Sequence, residues 1–239
     1  LDNQKLNRMR FKITESIEDK GILKAIFLAG GPGAGKSYTL TKISSGDISP
    51  RIVNTDKFTE YLQGDNVIEN SQLLTEKQLY LYLNSMLPLF VDSTSTHSKN
   101  IIKRSGILQS LGYDTGMLFI NTSLETSLNR VKERNKNVPP SRKVSLDWAK
   151  EAHERVATSK KFYRSRFPFF YEINNDEGEL TDTVILKAYN KVKGFYNDTL
   201  DNPEGQRTIK IMRQSGWKYF TDGMVKEEYL KKLISIWYM

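Results

Sequence analysis

The stretch ILKAIFLAGGPGAGKSYTLT, residues 22–41, constrains this chain more than any other. Residues 22–29 form a short, almost wholly apolar run, the pattern of a strand buried on both faces of a parallel sheet. It leads into Gly30-Gly31-Pro32-Gly33-Ala34-Gly35-Lys36-Ser37, which fits G-x-x-x-x-G-K-[ST] at every fixed position. The residues that follow read as a helix. A strand, a glycine-rich turn and a helix N-terminus make a cradle for nucleotide phosphates. The glycines let the backbone turn successive N–H groups inward, and the helix end adds the positive pole of its dipole. Gly31, Pro32, Gly33, Ala34, Gly35, Lys36, Ser37 and Tyr38 are therefore expected around the phosphates. Lys36 is expected to reach the β- and γ-phosphates, with the Ser37 hydroxyl on Mg2+. ATP and Mg2+ are the cofactors this implies.

Beyond the loop, short apolar runs alternate with helical patterns. Strands are expected at 51–55, 88–92, 116–122 and 169–175. Between them, helices are expected over about 71–86 with Ser71 as N-cap, over SKNIIKRSGILQSLG closed by Gly112, from Ser123 as cap, and over 144–167. Such alternation implies a parallel α/β sheet with right-handed crossovers. It stops near Asn175. Residues 1–21 read as a polar helix or arm, 22–175 as the core, and 176–239 as a helical extension. In that extension two helices flank the turn-rich DNPEGQRT.

Composition narrows the setting. There are no cysteines, which excludes disulfides, thiolate zinc sites and cysteine nucleophiles. No run of eighteen apolar residues exists, so no membrane span is expected. The polar, acid-bearing start is unlike a secretory signal or transit peptide, and a cytoplasmic protein is expected. Net charge is +8, and from Arg130 to Phe170 twelve bases stand against four acids, an excess equal to that of the whole chain. A phosphate-rich partner, DNA or RNA among the candidates, is the corresponding expectation. Nothing in the sequence speaks to oligomeric state.

Several uses of the cradle are disfavoured. A guanine reader of the N-K-x-D type is missing, since NKNV at Asn135 lacks the Asp. A motor ATPase usually carries Glu directly after its strand-end Asp, whereas Asp92 is followed by Ser93.

Three further blocks carry a resemblance: IVNTDKF, FVDST and SLNRVKERNKNVP. With the loop they are similar to the P-loop kinases of the zeta-toxin and polynucleotide 5′-hydroxyl kinase type, over roughly residues 22–175. The resemblance implies a three-layer P-loop NTPase fold with a five-stranded parallel sheet, here followed by the C-terminal helical extension. It implies an ATP-dependent kinase that transfers the γ-phosphate to a hydroxyl. The acceptor expected first is a nucleic acid (5′-hydroxyl or hydroxylated base), which the charge distribution favours, with a nucleotide sugar, as in zeta toxins, as the alternative. A non-catalytic, ATP-gated binding protein remains the alternative. No D-x-D-G-T phosphatase signature is present.

The roles follow from that likeness. Asp56 would take the acceptor hydroxyl's proton, and Asp92 would hold Mg2+ through water beside Ser37 or orient the acceptor. Lys57 and His97 would meet the acceptor, although the polynucleotide enzymes carry a basic residue a turn after this Asp, where Thr59 stands here. Arg130 and Arg134, one turn apart on a lid helix, would clamp the transferring phosphoryl or the ATP tail. Plain alternatives are helix capping for the two acids and a solvated face for the arginines. His153 reads as a surface residue. Phe162 and Tyr163, interleaved with bases, would stack on nucleobases or else be core. The aromatic tail, Trp217, Tyr219, Phe220, Trp237 and Tyr238, reads as packing or an oligomer face.

Overall fold

The computed structural model describes residues 21–44, 50–54, 56–59, 62, 66–92, 96–138, 143–176, 181–215 and 227–238. The expected N-terminal arm lies outside them, apart from Gly21. So do Trp217, Tyr219 and Phe220.

The chain runs β1 (Lys24–Ala29), α1 (Lys36–Ile43), β2 (Arg51–Val53), α2 (Asp56–Thr59), α3 (Val67–Asn84), β3 (Leu89–Asp92), α4 (Ser98–Ser110), β4 (Asp114–Asn121), α5 (Leu124–Lys136), α6 (Leu146–Arg166), β5 (Phe169–Asn174), α7 (Asp182–Asn197), α8 (Pro203–Ser215) and α9 (Glu227–Tyr238). All five expected strands are present, in one parallel sheet of order β2-β3-β1-β4-β5. The phosphate-loop strand therefore sits at the centre. The order reverses beside it, and the carboxyl ends of β1, β2 and β3 lie side by side along one edge of the sheet, where ligands of such sheets bind.

The strand period of two sorts the core into halves. Ala25, Phe27 and Ala29 face one side with Leu89, Val91, Met117 and Phe119, under residues of α3, α4, α6, α8 and α9. Ile26 and Leu28 face the other with Phe90, Leu118, Ile120 and Ile173, under α1 and α7. Helices beyond Asn175 thus belong to both layers. Trp237 of α9 is buried and stacks on Phe27, with ring centroids 6.3 Å apart. Arg104 on α4 donates to the Trp237 carbonyl at 3.0 Å and lies over its ring, fastening α9 to α4.

Two expected helix starts differ. Ser71 is not an N-cap: α3 begins four residues earlier, and the buried Ser71 hydroxyl donates to the Val67 carbonyl inside it. DNPEGQRT is not a loop, because Pro203 opens α8. Asn202 Oδ1 accepts the Glu204 N–H at 3.0 Å and the Gly205 N–H at 3.3 Å, satisfying first-turn donors, and Pro fits the first helical position. Gly112 does follow α4, at φ +92°, and Ser123 caps α5 by accepting the Thr126 N–H.

One buried charge is unexpected. Lys24 lies within β1 with its side chain 4% exposed, beside Asp114 on β4. Its Nζ donates to Asp114 Oδ2 at 2.8 Å and to the Thr199 carbonyl at 2.9 Å. Asp114 also accepts the Asp201 and Asn202 N–H groups. This pin closes the amino-terminal edge of the sheet, opposite the loop. No helix among the described residues is long and apolar enough to cross a membrane.

Candidate functional site

The glycine loop leaves β1 at Gly30 and enters α1 at Lys36. Its shape is held from outside by backbone carbonyls fastened to α5 and to the end of β5. The Ser127 hydroxyl donates to the Pro32 carbonyl, Arg130 Nη1 to that of Gly33 at 3.4 Å, and Asn175 Nδ2 to that of Ala34 at 2.6 Å. Thr122 Oγ1 reaches the Ala34 carbonyl at 3.5 Å. In a trans peptide the C=O and the following N–H point in opposite directions. Anchoring the Pro32 and Ala34 carbonyls to this wall therefore turns the Gly33 and Gly35 N–H groups away from it, into the cradle.

The glycines are required by that fit. Gly33 has φ +73°, and a Cβ there would lie 2.5 Å from the Ser127 carbonyl oxygen. Gly35, at φ +87°, would carry its Cβ into the Asn175 amide. Both positions combine a left-handed backbone with no room for a side chain.

Lys36 opens α1 and folds back over the loop, donating to the Gly30 carbonyl at 2.8 Å and the Gly31 carbonyl at 3.2 Å. Burial pushes its ammonium below the ordinary lysine range. The charges of Asp92 and Asp56 oppose that push, and Arg134 adds to it. Four of the expected residues, Lys36, Asp56, Asp92 and Arg134, are thus within one electrostatic neighbourhood. Asp92 ends β3 in register with Leu28 of β1. Burial raises its proton affinity and the nearby Asp56 raises it further, while Lys36 and a hydrogen bond from Asn54 act the other way.

Asp56 is exposed at the first position of α2. It does not cap that helix through its carboxylate. Instead its own N–H donates to Asn54 Oδ1 at 2.8 Å, and its carbonyl accepts the Thr59 hydroxyl at 2.6 Å. Ser37 and Tyr38 are exposed on the first turn of α1, and the Tyr38 ring lies under the Lys42 ammonium. Lys57 is exposed on α2. His97 is exposed at the N-cap of α4, where Nδ1 shares a hydrogen bond with Thr96 Oγ1 at 3.0 Å.

The two lid arginines are placed differently. Arg130 is half-buried, and Nη1 also donates to the Asn175 carbonyl at 2.8 Å. Arg134 is exposed. Across the turn that follows, Asn135 makes two hydrogen bonds to the Val144 backbone, stapling α5 to the start of α6.

Packing corrects one sequence reading and decides between the alternatives left open for the basic-aromatic stretch. His153 is no remote surface residue: it is half-buried against the loop, and a Cβ on Gly31 would meet its Nδ1 at 3.2 Å. Burial lowers its proton affinity, against the charges of Glu154 and Asp176. Tyr163 is fully buried, so it offers no stacking face. Lys160 and Arg164 both pair with Glu172 on β5 and lie over the Phe119 and Phe170 rings, so this basic-aromatic texture is largely intramolecular. Phe162 stays partly exposed, with Arg166 over its ring.

The residues present suit a hydrated divalent ion. Ser37 Oγ is an exposed neutral oxygen at the loop, and Asp92 supplies a carboxylate whose Oδ2 alone is engaged by Asn54. No group of three or more His, Cys, Asp or Glu among the described residues could hold a metal by itself. Phosphate oxygens and water would complete the shell, the usual arrangement for Mg2+. Residues that motif reasoning missed are Asn54, Thr122, Ser127 and Asn175. Only Asn54 had a local signal, an Asx residue at a strand exit two positions before the expected base.

Comparison with known proteins agrees with this architecture. The profile of the Zeta toxin family matches residues 11–173. A structure from Chloroflexus aurantiacus described as a kinase superposes with a TM-score of 0.50 at 15% identity, over 72% of this chain and 98% of that one. A structure from the PezAT toxin-antitoxin system of Streptococcus pneumoniae gives 0.49 at 15% identity, over 90% and 94%. One from the Pnkp1/Rnl/Hen1 RNA repair complex gives 0.47 at 18%, over 64% and 48%. No curated protein sequence matches the chain.

Proposed function

We propose that this chain, which belongs to the zeta-toxin family, is an ATP-dependent phosphotransferase that moves the γ-phosphate to an alcohol hydroxyl on a phosphate-bearing acceptor. One observation carries the reading: the charges of Asp92, Asp56 and Arg134 all act on Lys36 at the carboxyl edge of the sheet, around a preformed phosphate loop. Phosphoryl transfer asks the protein chiefly for positioning and charge neutralisation.

The loop N–H groups and Lys36 would hold the β- and γ-phosphates. Ser37 and Asp92 would hold Mg2+, which neutralises charge between the phosphates when bound. Asp56, exposed at the first position of α2, would accept the hydroxyl proton as the oxygen bonds to phosphorus. Proton acceptance there needs only hydrogen-bond reach, since the proton leaves late. Arg134 would stabilise charge on the transferred group, with Lys57 and His97 on the acceptor side. For the acceptor, a nucleotide sugar is favoured over a polynucleotide. Lys160 and Arg164 share the one carboxylate of Glu172 and Tyr163 is buried, so these three residues offer a strand less charge and stacking surface than their sequence suggests.

The test is transfer from γ-labelled ATP to UDP-sugars, 5′-hydroxyl DNA and RNA, hydroxymethyl-base DNA and buffer, run beside Asp56→Asn. Label on one acceptor, lost at least about a hundredfold in the variant, is the expected result. Label on water alone, unchanged in the variant, refutes the assignment of Asp56 and leaves an ATP-gated binding protein.

A further inference from the structure

Asn54 stands at the exit of β2, between the two acids that the kinase reading uses. Its Oδ1 accepts the Asp56 N–H at 2.8 Å, a turn closed within the chain. Its Nδ2 donates to Asp92 Oδ2 at 2.8 Å, a bond that crosses to the neighbouring strand β3. One planar amide therefore spans from the first residue of α2 to the last residue of β3.

A capping role would need only the oxygen, which Asp supplies as well as Asn. The second bond needs a donor on the same side chain; an amide carries donor and acceptor on two separate atoms of one rigid plane, whereas a hydroxyl must use a single atom for both. Something must also keep the acids in place. Asp56 and Asp92 are like charges beside Lys36, and that of Asp56 raises the proton affinity of Asp92; like charges so placed move apart unless their positions are over-determined.

We infer that Asn54 is a positioning residue for phosphoryl transfer. It engages one oxygen of Asp92 and pins the Asp56 backbone, so that one carboxylate serves the metal side and the other the acceptor side. The inference rests on the kinase reading above, and it concerns geometry at saturating nucleotide rather than nucleotide capture, because Asn54 touches neither the loop nor Lys36 in any hydrogen bond among the described residues.

The experiment compares the full chain with Asn54→Ala and Asn54→Asp. Turnover is measured at saturating Mg·ATP with a UDP-sugar and with 5′-hydroxyl RNA, and ATP affinity and melting temperature are measured separately. Both variants are expected to lose at least about tenfold in kcat, as a misplaced reacting group does. Asn54→Ala should bind ATP within about threefold of the parent, since it leaves the phosphate loop untouched. Wild-type turnover in Asn54→Asp, which keeps the acceptor for the Asp56 N–H but loses the donor to Asp92, would reduce Asn54 to a turn cap and overturn the inference. Loss of ATP binding in step with turnover in Asn54→Ala would overturn it too, by making the residue a general support of the pocket. A parent chain that binds ATP yet labels no acceptor of the full panel above refutes the kinase reading and this inference together, before any variant is compared.

Discussion

Replacing Asp114 by Ala should destabilise the protein strongly without touching its chemistry. The Asp114 carboxylate takes three hydrogen bonds, from Lys24 Nζ at 2.8 Å, from the Asp201 N–H at 2.9 Å and from the Asn202 N–H at 2.8 Å. Both backbone donors lie near solvent and can turn to water. Lys24 cannot: its side chain is 4% exposed, and without Asp114 its ammonium keeps only the Thr199 carbonyl and the Phe195 ring 5.0 Å away. Breaking a buried pair by removing one partner costs about 3–5 kcal/mol, because the other charge is stranded. For a chain of this size that lowers the melting temperature by about 6–20 °C. Adding Lys24→Met removes the stranded charge, so the double variant should recover at least about 2 kcal/mol over Asp114→Ala. The assay is urea unfolding of the parent, both single variants and the double variant, with ATP affinity measured alongside. A loss below about 1 kcal/mol in Asp114→Ala, or a double variant whose cost is the sum of the two singles, would refute the reasoning.

Other outcomes follow from the loop and its wall. Gly33→Ala, at φ +73° and with its Cβ 2.5 Å from the Ser127 oxygen, should lower ATP affinity by at least about tenfold at about 1–2 kcal/mol of backbone strain, read by calorimetric titration. Arg130→Lys should weaken ATP binding, because Lys lacks the planar fork that reaches the Gly33 and Asn175 carbonyls. Arg134→Lys should instead leave ATP affinity near the parent's and slow transfer; equal effects of the two substitutions on affinity would contradict the division. His153, whose proton affinity burial lowers, binds fewer protons folded than unfolded, so its contribution makes stability rise with pH up to its ordinary titration range near 6.5. Proton NMR can follow it directly, since the chain has two histidines. ATP at the adjacent loop should move its midpoint upward, and a midpoint unmoved by bound ATP would show that the ring does not feel the phosphates.

What the sequence made legible were features whose cause is local. The loop, the strands and the strand-end position of Asp92 each follow from a short pattern, whereas β2 stops at Val53 and Asp56, expected at its end, opens α2 instead. Helix starts were harder where the pattern misleads. The first turn of α3 carries Ile68 at 76% exposure, so the apolar stripe begins only later, and Ser71 looked like the boundary. In α8, Gly205 in the first turn looked like a loop residue. It is in the helix, and it is glycine because Gly112 packs against it so closely that a Cβ would meet the Gly112 carbonyl. The wall of the loop was illegible for a different reason. Ser127 and Asn175 bond to backbone carbonyls 95 and 141 residues away in the chain, and a carbonyl leaves no trace in residue identity. Lys24 was hidden likewise, since its partner on β4 becomes its neighbour only through the parallel register.

The same wall explains why two arginines one turn apart on α5 end in different states. A cradle built from backbone N–H groups works only if those groups already point inward before the nucleotide arrives; otherwise binding must also order the loop. Three consecutive carbonyls turned outward would face low-dielectric protein without partners, at a cost of about 1–3 kcal/mol each. Ser127, Arg130 and Asn175 supply those partners. Arg130 therefore has a task that is complete in the folded chain without nucleotide, and its half-burial and two carbonyl contacts are what that task requires. Arg134 lies one turn further along the helix, beyond the reach of the loop carbonyls, and stays exposed. Its charge makes Lys36 harder to protonate. A polyphosphate bound between them would turn that repulsion into shared attraction, which is the direction in which nucleotide binding would be favoured.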